Sequence, residues 1–95
     1  MNERGVFSAS SDEEVKRLIS LSKTGDEEAF GKVYDHLAEP IYKFIYVRTR
    51  HRETAEDLLS LTFLKVWKYL PRYEERTGTK FTTWLFQICM NVIRD

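Results

Sequence analysis

Glu53-Thr-Ala-Glu-Asp-Leu-Leu-Ser-Leu-Thr-Phe-Leu-Lys-Val-Trp-Lys-Tyr-Leu70 is the stretch that decides the fold. Ala55, Leu58, Leu59, Thr62, Phe63, Val66 and Leu70 recur at three- and four-residue steps, which on a helix turning about 100° per residue lie on one face. Pro71 ends the pattern. The opposite face carries Asp57, Leu61, Leu64 and Lys68. Scattered surface leucines are ordinary in soluble proteins, whereas an aligned pair flanked by charges suits a partner's groove. The alignment favours a partner.

Working outward, the same period recurs on both sides. Upstream, Ser11 and Glu14 have the form of a capping box, and Val15, Leu18 and Ile19 follow at helical spacing. Gly25 suits the left-handed position beyond a helix end, and Asp26, Glu27 and Glu28 place negative charge at the next start. Phe30, Val33, Tyr34 and Leu37 line the second helix, and Ile41, Phe44 and Ile45 resume its spacing after Pro40. Proline lacks a backbone donor and disfavours helical geometry in the residue before it, so a kink or break is expected there. The following segment is expected to run to about Arg50.

Downstream, residues 71–80 mix Pro71, Gly78 and two threonines with Arg72, Arg76 and Lys80, which predicts a basic loop. Thr79 or a neighbour is then expected to cap a last helix whose inner face holds Phe81, Trp84, Leu85, Ile88 and Val92. Its outer face, Thr83, Gln87, Met90 and Arg94 with Asn91 at the margin, carries no acid. Gln, Asn and Arg pair with base edges and Thr reaches phosphate or base; a solvated surface is the other reading. Tyr73 and Phe81 flank the loop, and aromatic rings among cations suit single-stranded nucleic acid, although Phe81 also fits the core. The expected architecture is all-α, a small bundle of about four or five helices, with residues 1–11 a flexible tail and residues 12–95 one domain.

Composition bounds the function. Ninety-five residues, 42% hydrophobic and 32% charged, suit one core and argue against disorder. The zero net charge hides an asymmetry: residues 1–39 hold five Lys or Arg against nine Asp or Glu, and residues 40–95 hold ten against six. The second part could therefore face a polyanion. No apolar run approaches the roughly 18 residues of a membrane span, residues 1–11 hold no signal segment, and a single cysteine forms no internal disulfide; a cytoplasmic protein is expected. His36 and His51 lack metal-ligand or catalytic spacing with Cys89, which reads as a small buried hydrophobe. With no Gly-rich phosphate loop and no paired-carboxylate constellation, neither an enzyme nor a cofactor is expected.

Four blocks in order, Lys23-Thr-Gly-Asp-Glu-Glu-Ala-Phe30, Ala55-Glu-Asp-Leu-Leu59, Phe63-Leu-Lys-Val-Trp67 and Phe81-Thr-Thr-Trp-Leu85, resemble extracytoplasmic-function sigma factors. The resemblance covers about residues 12–95 and implies the sigma second domain, a helical bundle that joins RNA polymerase core to promoter DNA. It implies that the Glu53 to Leu70 helix docks on the polymerase clamp through Asp57, Ser60, Leu61, Leu64 and Lys68. It also implies that the loop from Arg72 to Lys80 captures an unstacked non-template base of the minus-ten element while the last helix touches adjacent DNA. Carried over by position, the DNA candidates are Arg72, Tyr73, Thr79, Lys80, Thr82, Thr83, Gln87 and Asn91, with Trp84 assigned to packing. The resemblance admits an anti-sigma partner without naming one. Two departures stand out: Ser60-Leu61 replaces the usual Gln and acidic residue, and Cys89-Met90-Asn91 replaces Ala-Arg-Asn. The last helix has no Gly or Pro to stop it and the family's helix-turn-helix domain is absent, so a piece of a longer protein is expected. The competing reading is a helical protein-interaction module that keeps the fold without promoter binding.

Overall fold

The computed structural model describes residues 9–74 and 80–94, with side chains from residue 13 onward. Four helices follow in order: α1 (Ala9–Lys23), α2 (Glu27–Thr49), α3 (Arg52–Tyr69) and, after a single 3₁₀ turn at Leu70–Arg72, α4 (Phe81–Arg94). No strand occurs among the described residues, as the helical periodicity predicts. The chain divides into two compact units, one up to Pro40 and one from Ile41 onward.

In the first unit, α1 begins two residues before Ser11, so that serine lies in the first turn instead of at the cap. Val15, Leu18, Ile19 and Ser22 form the buried face. Ser22 is accommodated there because its Oγ donates to the Leu18 carbonyl at 2.7 Å, which leaves no polar group unsatisfied. The helix stops in a left-handed turn. Gly25 adopts φ +95° and its N–H donates to the Ser22 carbonyl at 2.9 Å, while the Asp26 N–H reaches back to Leu21 at 3.4 Å. Asp26 then starts α2, its Oδ1 accepting from the Ala29 N–H at 3.0 Å, with Glu27 and Glu28 in the first turn.

The break expected at Pro40 does not occur: α2 runs through it without interruption. The apolar spacing explains why. Val33, Leu37, Ile41 and Ile45 stay buried at four-residue steps across the proline, so breaking the helix would misplace two of them. The carbonyl that loses its donor belongs to His36, an exposed residue at which water can serve instead.

In the second unit the buried face of α3, made of Ala55, Leu59, Thr62, Phe63 and Val66, packs against α4, whose buried residues are Phe81, Leu85, Cys89 and Val92. Leu58 is only half-buried. Thr62 enters the core as Ser22 does, its Oγ1 donating to the Leu58 carbonyl at 2.7 Å. The connection from α2 to α3 is two residues long. Arg50 takes the left-handed region at φ 56°, with its N–H donating to the Tyr46 carbonyl at 2.7 Å. His51 then caps α3, its Nδ1 accepting from the Thr54 N–H at 3.2 Å. At the other end Pro71 does not simply end the chain's helical course. It enters the 3₁₀ turn at a position where its missing N–H costs nothing, and Leu70 stays fully buried.

Candidate nucleic-acid interface and partner face

On α3, burying Ala55, Leu59, Thr62, Phe63 and Val66 turns the other side outward. Asp57, Ser60, Leu61, Leu64 and Lys68 are all exposed, Leu61 at 41% and Leu64 at 64%. They form a stripe along about three turns, which the sequence pattern specifies because helical rotation alone fixes which residues oppose the core. Lys68 lies 5.4 Å from the Tyr69 ring centroid, which biases its charged end toward that ring. The stripe thus has two leucines in its middle and opposite charges at its two ends.

The second surface begins where α3 ends. Arg72 is exposed at the end of the 3₁₀ turn and Lys80 is exposed at the start of α4, where its carbonyl accepts from the Thr83 N–H at 3.1 Å. Along α4, Thr83, Gln87 and Asn91 are exposed and Thr82 is half-buried. Thr79 lies outside the described residues. Because α4 contains no Asp or Glu, nothing along its own face repels a polyanion.

Tyr73 departs from the expectation of a free stacking ring. It is 8% exposed, meets Phe81 edge-on at 5.4 Å between centroids, and lies 4.8 Å from Trp84, with Phe81 and Trp84 themselves 5.5 Å apart. Its N–H donates to Leu70 at 2.9 Å. Three rings thereby fasten the end of the 3₁₀ turn, beside Arg72, to the first turn of α4, beside Lys80. The positioning follows from tertiary contact across a connection, which no helical period encodes. Trp84 is half-buried in this cluster, in keeping with its assignment to packing.

Cys89 is fully buried, and that burial pushes its thiol up, with the Thr62 side chain and the Arg48 charge pulling the other way. The sulfur stays a protonated, inert hydrophobe at neutral pH. Among the described residues no group of three His, Cys, Asp or Glu side chains could hold a metal ion, and no helix is long and apolar enough to cross a membrane. Sequence reasoning missed two residues here. His51 as a helix cap is an uncommon choice with no pattern to announce it. Arg48 was legible, since it stands four residues after Phe44, the spacing at which a cation covers an aromatic ring on one helix face.

The class these features define is an all-α domain whose chemistry lies on exposed helix faces. The Sigma-70 region 2 family matches residues 33–95, and the chain belongs to that family. Among characterised proteins it is 35% identical over 78 residues to the ECF RNA polymerase sigma factor BldN of Streptomyces coelicolor, covering 82% of this chain and 29% of that protein. It is 28% identical over 81 residues to the ECF RNA polymerase sigma factor SigW of Bacillus subtilis, covering 85% of this chain and 42% of the relative. It is 37% identical over 73 residues to the RNA polymerase sigma factor CarQ of Myxococcus xanthus, with 77% and 41% covered. The chain therefore spans less than half the length of these relatives. No solved structure matches it significantly.

Proposed function

We propose that this chain is the polymerase- and promoter-binding domain of a sigma factor and acts in DNA-templated transcription initiation, with residues 12–95 forming the domain. The observation that carries the reading is the separation of tasks between two helices packed back to back. The buried sides of α3 and α4 meet, which leaves the leucine stripe of α3 and the acid-free polar face of α4 exposed at once. On this reading Asp57, Ser60, Leu61, Leu64 and Lys68 bind RNA polymerase core, and Leu61 takes by apolar packing the place where the family usually offers a carboxylate. Arg72 and Lys80 neutralise phosphates, and Thr82, Thr83, Gln87 and Asn91 contact bases or sugar-phosphate. Thr79 belongs to the same set. Tyr73 contributes by fixing the frame.

Such a domain acts in the cytoplasm, where the polymerase and promoter are, and performs no covalent chemistry. Its specificity comes from taking a base out of the duplex stack, which costs a few kcal/mol and is least costly when the strand is already single. A fluorescence titration of the chain with single-stranded and duplex minus-ten oligonucleotides tests the reading. Preferential, salt-dependent binding of the single strand is expected. Equal and sequence-independent binding of both, unchanged on substituting Arg72, Lys80 and Gln87, would instead leave a protein-interaction module.

A further inference from the structure

Arg48 is a cation that none of the assignments above uses. Its guanidinium lies 3.7 Å over the Phe44 ring centroid, and its Nη1 donates to the Phe44 carbonyl at 3.2 Å. Phe44 in turn meets Phe86 of α4 edge-on at 5.0 Å. One turn further along each helix, the Arg48 charge acts on the Cys89 thiol. The Phe44–Phe86 contact brings the last turns of α2 against α4.

The position matters because of what borders it. At about 100° per residue, Phe86 and Met90 form the flank of α4 that adjoins Gln87 and Arg94 on the outward face. Arg48 is stacked on the ring that meets Phe86, and so lies on the side of α4 that borders the acid-free polar face. It is exposed, and no carboxylate pairs with it among the described residues. A guanidinium that is already stacked and hydrogen-bonded loses less freedom on taking a ligand than a free side chain does, and its remaining donors suit the oxygens of a phosphodiester. Resting on the sigma reading of α4, we propose that Arg48 binds a backbone phosphate of the nucleic acid, so that the interface extends from α4 across the last turn of α2.

The test is the salt dependence of binding by the 95-residue chain to a fluorescein-labelled single-stranded minus-ten oligonucleotide between 50 and 200 mM NaCl. Each phosphate neutralised on a single strand contributes about 0.7 to the slope of log affinity against log salt. Arg48→Gln and Arg48→Met, the second keeping an aliphatic stem on Phe44, should each flatten the slope by about that amount, and Arg48→Lys should keep the slope while weakening binding. A cation that only braces Phe44 would change the melting temperature and leave the slope alone, and that result overturns the proposal with the sigma reading intact. Unfolding of both neutral variants, read by circular dichroism, also overturns it by assigning Arg48 to the core. If the unaltered chain shows no salt-dependent binding at all, the reading of α4 fails and takes Arg48 with it.

Discussion

Replacing Tyr73 by alanine separates a ring that anchors from a ring that stacks on a base. Tyr73 is 8% exposed and touches two other rings, at 5.4 and 4.8 Å between centroids. Truncating a buried aromatic removes its transfer free energy, leaves a cavity and forfeits the ring pairs, together about 3 to 5 kcal/mol. At roughly 4 to 8 °C per kcal/mol for a domain of this size, the melting temperature should fall by at least about 12 °C. That is a large part of the 5 to 15 kcal/mol typical of whole domains. The assay is thermal unfolding followed by circular dichroism at 222 nm, with single-strand binding measured well below the transition. Binding should weaken because the frame holding Arg72 and Lys80 loosens. A Tyr73→Ala chain that melts like the unaltered one yet loses single-strand affinity would refute this reasoning, since only a ring free to meet a base behaves that way.

Leu64→Asp, at a side chain 64% exposed, should leave folding within about 0.5 kcal/mol; capture by purified polymerase core should fall about tenfold, a loss of about 1.4 kcal/mol, and undiminished capture would remove α3 from the interface. Pro40→Ala restores a donor to the His36 carbonyl inside an unbroken helix and should raise stability by about 1 kcal/mol or more, seen as a higher melting temperature; a lower one would mean that the proline is needed. Burial raises the Cys89 thiol, so the folded chain holds that proton more tightly than the unfolded one does. The resulting stability is fully present below the unfolded thiol's range, about 8.5, and is lost as pH rises through the folded value. Urea midpoints measured from pH 7 to 10.5 should fall less steeply for Cys89→Ala than for the unaltered chain, and parallel curves would show that the thiol does not contribute.

What could be read from the sequence was whatever repeats with the helix. The buried face of α3 and the stripe opposite it followed from rotation alone, and so did the outward set of α4. The family blocks then suggested the roles proposed for both faces. Pro40 shows where local rules mislead. The proline signal is strong in isolation, yet four buried residues spaced by four across it outweighed one missing hydrogen bond. The burial of Tyr73 was hidden for the opposite reason. Its burial depends on Phe81 and Trp84, which approach it across a connection whose path no periodicity specifies. The buried hydroxyls of Ser22 and Thr62 were costly only on paper, because each is satisfied by the carbonyl four residues earlier in its own helix.

The two-residue corner at Arg50 and His51 has a bearing on how this chain can vary. Three hydrogen bonds hold it: the Arg50 N–H donates to Tyr46, the His51 carbonyl accepts from the Ala55 N–H at 2.9 Å, and the His51 ring accepts from the Thr54 N–H. With no slack, the rotational setting of α3 is indexed to α2. One inserted residue carried into α3 would swing Leu61 and Leu64 by about 100° and bring the core residues out in their place. The length of this corner is thus a fixed quantity, and a tag, a linker or a circular permutation placed here would shift the angular register of the leucine stripe before it altered a single contact residue.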